Sequence, residues 1–168
     1  MRHAFANLIQ SSRYENLEVA DITSRAGVSR STFYAHYSSM DALLAESIAG
    51  PFAVLADTIK PVFAEPHLIA LLEHLWENRA LARGILLGPV RRKTNEVLIG
   101  LIADRLKSAS LHRRGAMILP PRLAASQLAA ILIAPVTAWL LGESRCSSNV
   151  LAGALRRVSI AAVNSMTH

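Results

Sequence analysis

Nowhere in this chain do Val, Ile and Thr alternate with polar residues at period two, and no Asn-Gly or Asp-Gly pair offers a hairpin turn, so a β-sheet has no local support. Alanine and leucine abound instead, and Gly and Pro cut the chain at helix-length intervals: Gly27, Gly50-Pro51, Pro61, Pro66, Gly84, Gly88-Pro89, Gly115, Pro120-Pro121 and Gly142. This punctuation predicts an all-α fold of about nine helices, near 3–12, 18–25, 29–36, 39–49, 51–63, 67–86, 90–110, 121–141 and 148–165. Pro135 falls inside the eighth, where it removes one backbone hydrogen bond and bends the helix.

With 168 residues, 52% of them apolar, the chain can bury a sizeable core. Mean hydropathy is high at +0.31. The longest apolar-rich stretch, Leu128 to Leu141, is nevertheless only 14 residues and contains Pro135, which favours a buried helix over a bilayer span. No apolar leader with a small-residue cleavage site follows Arg2, so the expected location is the cytoplasm, with no membrane partner. The single cysteine, Cys146, rules out an internal disulfide and reads as a small residue near a loop.

The net charge of +6 permits a nucleic-acid partner. Its distribution is uneven. Residues 1–49 hold Arg2, Arg13, Arg25 and Arg30 against Glu15, Glu18, Asp21, Asp41 and Glu46, a balance of one negative charge, so the rest of the chain carries the whole excess.

The informative stretch is Val19 to Tyr37, VADITSRAGVSRSTFYAHY. A short amphipathic helix ends at Ala26-Gly27, and a second begins at Ser29. Gly27 can take the positive φ that reverses the chain within so few residues, and the Ser29 hydroxyl can cap the next helix. Ile22, Ala26, Val28 and Phe33 supply a small core that fixes the two helices at a steep angle, which makes the pair a helix-turn-helix. The second helix of such a unit enters the major groove, so Arg30, Ser31 and Thr32 are expected at base edges, with Arg30 able to bind guanine through two hydrogen bonds and the Ser29 cap counted among the DNA-binding residues. Arg25, Tyr34 and His36 are expected near the phosphates, whereas Tyr37 is expected in the core.

Tyr14, Leu17, Val19, Asp21-Ile22, Ala26-Gly27-Val28-Ser29, Phe33-Tyr34, His36-Tyr37 and Leu43-Leu44 together resemble the N-terminal signature of the TetR (AcrR-like) repressors. The resemblance spans about 45 residues and is looser beyond them. It implies a three-helix DNA-binding head at 1–49 and a ligand-binding and dimerisation domain at 50–168. The function implied is a ligand-responsive repressor that binds a pseudo-palindromic operator as a homodimer. Departures from the pattern weaken the expected grip on phosphate. Glu18, Ala20 and Met40 stand where the family usually has a Ser or Thr cap, a basic residue and a lysine, and Arg13 stands where glycine often ends the first helix. No basic arm precedes that helix, which suggests a truncated start or weak binding.

Leu128, Ile131, Leu132, Pro135, Trp139 and Leu140 recur at helical spacing, as do Leu151, Leu155, Val158 and Ala162. The resemblance implies that these last two helices pair with their copies in a four-helix bundle, giving Leu128, Ile131, Pro135, Leu151, Leu155, Val158 and Ala162 as interface residues flanked by Arg156 and Arg157. An effector pocket of roughly 300 Å³ or more is expected between the fifth and eighth helices, lined by Leu72, Leu75, Trp76, Arg79, Leu86, Val97, Leu101 and Trp139. The basic run Arg91-Arg92-Lys93 reads as a solvated helix end.

The chain has no HExxH, Gly-x-Ser-x-Gly, Walker or dinucleotide-binding motif and no histidine pair at metal-ligand spacing, so neither an enzyme, a metal nor a cofactor is expected. The alternative function is a protein of regulator fold with weak or lost DNA binding that acts through a protein partner, a reading favoured by the acidic head.

Overall fold

A computed structural model describes residues 1–11, 14–110, 118–143 and 145–166. Arg13 and Gly115 lie outside them, as does the expected end of the first helix at residue 12. The described residues form α1 (Arg2–Ser11), a 3-10 turn (Tyr14–Asn16), α2 (Val19–Ala26), α3 (Arg30–His36), α4 (Met40–Asp57), α5 (Glu65–Glu77), α6 (Arg79–Leu86), α7 (Arg91–Ser110), α8 (Pro121–Leu141) and α9 (Ser148–Ser165), with no strand among them. The first three helices and the start of α4 form an N-terminal head. In the body α7 packs against both α4 and α8, α5 and α8 pack on α9, and α6 packs on α8. Head and body meet where α6 crosses α1. The two helices lie close there: a Cβ at Gly84 would just reach van der Waals contact with the Ile9 methyl, at 3.4 Å.

Two expected helix boundaries are corrected. The break at Gly50-Pro51 does not exist, because α4 runs through it as one helix of 18 residues. Pro51 removes one intrahelical bond, a cost of about 3 kcal/mol. Leu44, Ile48, Phe52 and Leu55 keep one helical phase across the proline and are all buried. Burying Phe52 and Leu55 contributes roughly 1.5–3 kcal/mol each, enough to offset the lost bond. Conversely, the single helix expected at 67–86 divides at Asn78, whose backbone leaves the helical region (φ −103°, ψ 33°). Its main-chain and side-chain amides both donate to the His74 carbonyl, at 3.0 and 2.9 Å, which caps the end of α5.

The expected dimer residues also divide. Leu128, Leu151 and Leu155 are buried within this chain's own core, because α8 and α9 turn those faces on each other and on α5 and α7. Ile131 and Ala162 are half-buried, and Pro135 and Val158 are exposed. The outward face of α8 instead presents Leu123, Gln127, Ala130, Ala134 and Leu141, and that of α9 presents Val150, Arg157, Val158, Ala161 and Asn164, a mixed surface that includes several apolar groups. Arg156 is half-buried and turned back onto its own chain. It donates to the carbonyls of Thr58 and Pro61 and lies over the Phe63 ring, closing the C-terminal end of α4.

By length and hydropathy α8 as a whole is one helix that could cross a membrane, although its longest apolar-rich stretch alone is too short. Ala124, Ala125, Leu128, Ala129, Leu132, Val136, Trp139 and Leu140 are buried against the rest of the chain, the pattern of a core helix.

Candidate nucleic-acid interface

The turn between α2 and α3 is built from short-range bonds. Gly27 adopts φ 65°, the left-handed conformation that a side chain disfavours, and its amide donates to the Ser24 carbonyl at 3.2 Å. The Val28 amide then donates to the Thr23 carbonyl at 3.0 Å, closing the end of α2. One residue later the Ser29 hydroxyl accepts from the Thr32 amide at 3.0 Å and starts α3. Ile22 and Phe33 are fully buried between the helices, while Ala26 and Val28 are only half-buried.

This packing leaves Arg25, Ser29, Arg30, Ser31, Thr32, Tyr34 and His36 exposed together. The Ser31 and Thr32 hydroxyls gather on Ser29 Oγ at 2.7 and 2.8 Å, so the first turn of α3 carries a hydroxyl cluster beside the free Arg30 guanidinium. Tyr34 is 58% exposed and stands edge-on to Phe33. Tyr37 points the other way, buried, with its hydroxyl donating to Glu46 at 3.4 Å.

Glu18 starts α2 with no serine. The Asp21 carboxylate accepts from the Glu18 amide at 2.8 Å, which ties the helix start without any cation. Ser39, a cap not expected from the sequence, accepts from the Ala42 amide at 3.1 Å and starts α4. A second group is equally unforeseen. Tyr14 donates to Asp41, Lys93 meets the same carboxylate oxygen at 2.6 Å, and the Lys93 ammonium lies 4.8 Å from the Tyr14 ring centroid. The hydrogen bond from Lys93, then that from Tyr14, holds the Asp41 carboxyl below its ordinary value, and burial pushes the Tyr14 phenol up. Lys93 is therefore no free helix end, and these three residues are too far apart in the chain for any local pattern to reveal.

The expected effector-lining residues do not converge. Leu75 and Leu86 line a cavity of about 130 Å³ between α4, α5 and α6, with Ser47, Pro51, Phe52 and His74 among its other walls. Leu72 is packed in the core, and Val97 and Leu101 are half-buried on α7. Trp76 and Trp139 pack with ring centroids 4.9 Å apart and planes tilted by 39°, beside an open groove of about 700 Å³, and Trp139 donates to the Cys146 carbonyl. Arg79 is exposed, its guanidinium 5.7 Å from the Trp76 ring centroid, so no buried charge arises there.

A short helix seated on a glycine turn, with a capped and exposed second helix on a helical body, defines a helix-turn-helix protein. Residues 4–47 match the family of bacterial regulatory proteins described as tetR family. The HTH-type dhaKLM operon transcriptional activator DhaS of Lactococcus lactis subsp. lactis (strain IL1403) is 32% identical over 77 residues, which are 45% of this chain and 41% of that protein's length. Among solved structures, a TetR transcriptional regulator from Streptococcus agalactiae 2603V superposes with TM-score 0.58 at 24% identity, covering 94% of this chain and 90% of that one. The dihydroxyacetone kinase operon activator DhaS superposes with TM-score 0.50 at 19% identity, covering 99% and 96%. The chain is TetR-like: its head matches the family, and its fold is that of the family's solved members. The expectation of a non-enzyme stands with that match, since these relatives are described as transcriptional regulators or activators.

Proposed function

We propose that the chain is a DNA-binding transcriptional regulator that works as a homodimer on a pseudo-palindromic operator and responds to a small apolar effector. The observation that carries the reading is the single exposed edge of α3, where Arg30 stands free beside the Ser29, Ser31 and Thr32 hydroxyls on a helix held rigid by Phe33. In a major groove Arg30 would read guanine, and Tyr34, His36 and Arg25 would hold phosphates. The exposed apolar groups of α8 and α9 favour pairing with a second copy, which would set two recognition helices at a fixed spacing. The cavity beside α4, at about 130 Å³, is smaller than the 300 Å³ or more expected from the sequence and would suit only a small effector; α4 belongs to both the head and the body, so a change in its tilt would alter that spacing.

The one-negative balance of residues 1–49 favours a second reading, in which DNA binding is weak and a protein partner supplies the regulation. The activator description belongs to the Lactococcus lactis relative; for this chain, repression and activation are both compatible with the same head. Binding measured on duplexes differing at one base pair separates the readings. Arg30→Ala should weaken binding by about 1–3 kcal/mol and flatten the preference at one base pair, whereas Tyr34→Phe should weaken all duplexes alike. Equal affinity of both variants and the parent for every duplex would overturn the DNA reading.

A further inference from the structure

The head offers few cations for a polyanion. Arg2 is paired with Glu46 at 2.8 Å, leaving Arg25 and Arg30 as the arginines of the described head without an ion pair. Many body cations are engaged elsewhere. Lys60 and Arg105 meet Asp57, Arg122 meets Glu96, Lys107 meets Asp104, and Arg83 and Arg156 bind main-chain carbonyls. Arg91 and Arg92, like Arg79, Arg145 and Arg157, are exposed with no side-chain ion pair or hydrogen bond among the described residues, but they alone adjoin Lys93, which is tied to the head. They border an open concavity of about 450 Å³ with Leu87, Gly88 and Pro89.

Their position is set by the next residue. Lys93 is tied to Asp41 in the first turn of α4 and lies over the ring of Tyr14, just before α2. The start of α7 is thereby drawn against the first turn of α4 and the 3-10 turn between α1 and α2. In a docked helix-turn-helix these supporting elements run beside the sugar-phosphate backbone, while the second helix occupies the groove.

We infer that Arg91 and Arg92 are a DNA phosphate-binding extension of the head, contributed by the body and anchored by the Lys93–Asp41 pair. This rests on the DNA-binding reading above and deepens it, because it accounts for how a head of negative balance can hold a polyanion. Two flexible guanidinium groups on an exposed surface would contact phosphates without reading bases, so they would raise affinity for all duplexes and leave specificity to Arg30.

The test uses the full chain and two probes: a duplex enriched by the parent protein from a random library, and an unselected duplex of equal length. Affinity is measured across salt between about 50 and 200 mM. Each phosphate contact contributes a slope of about 0.9 in log affinity against log salt, so the double variant Arg91→Ala, Arg92→Ala should lower the slope by about two per chain. Bound as a dimer, the parent should then lose roughly a hundredfold more affinity over that range than the variant, on both probes. Arg91→Lys with Arg92→Lys should restore most of the slope, separating charge from any disturbance of α7. A parent slope retained by the alanine variant, or a slope not recovered by the lysine variant, overturns the inference alone. A parent chain that binds neither probe overturns the proposed function with it.

Discussion

Head and body are both helical, but they use their residues differently. In the head, α2 and α3 have only 8 and 7 residues, and a few side chains divide the work: Ile22 and Phe33 are buried, Gly27 turns the chain and Ser29 caps. In the body, α7 and α8 have 20 and 21 residues, and most positions could serve a core, a pocket or an interface. A short helix under a tight turn has one workable arrangement. A long apolar helix has several, and only its neighbours decide among them.

The largest expected effect breaks this comparison inside the body. Leu155→Asp should unfold the chain, since an unpaired carboxylate in this core costs several kcal/mol, and circular dichroism should lose its cooperative melt. Val158→Asp, three residues on and 49% exposed, should leave the melt nearly unchanged while lowering the mass in sedimentation from dimer to monomer. If Leu155→Asp stays folded and merely splits a dimer, the assignment of Leu155 to the chain's own core is wrong.

The two leucine positions show what periodicity can tell. Leu151, Leu155, Val158 and Ala162 recur at helical spacing, yet the spacing does not say whether a face meets its own chain or a copy, and the structure divides the set. Gly27 and Ser29 are legible because their roles are local: a positive φ and a hydroxyl three residues before an amide depend on nothing distant. Pro51 misleads because a proline's local cost looks decisive, although the unbroken phase of Ile48, Phe52 and Leu55 is already in the sequence. Lys93 is hidden because its partners, Tyr14 and Asp41, come from other elements. The expected pocket residues divide as the Leu155 set does, since helical spacing does not say which wall an apolar residue joins: Leu75 and Leu86 line one cavity, Trp76 and Trp139 border another groove, and Leu72 lies in the core.

A middle-sized effect sharpens the head side. Gly27→Ala should cost about 1–2 kcal/mol, because alanine in the left-handed region brings Cβ against the following carbonyl even though open space surrounds the site. Chemical denaturation read at head residues by hydrogen exchange should show the loss there and spare the amides of α8. An equal loss in α8 would show that head and body unfold as one unit through α4.

The smallest effect concerns the junction. Lys93→Met removes a half-exposed ion pair and should cost below about 1 kcal/mol of stability. The sign with pH follows from Asp41. Its carboxyl is lowered in the folded chain, so its contribution is present above the ordinary carboxylate value and lost as pH falls through the lowered one. The parent's advantage over Lys93→Met should therefore vanish on acidification below about pH 4 and persist at neutral pH. An advantage that grows toward low pH would contradict the pairing.

The most direct test of the central claim is enrichment of random duplex DNA by the full chain at low salt, followed by sequencing, for the parent and for Arg30→Ala. The account predicts a two-fold symmetric motif with a guanine preference in each half-site, lost at that position alone when Arg30 is replaced. Enrichment of no symmetric motif by the parent, or the same guanine preference in Arg30→Ala, would contradict it.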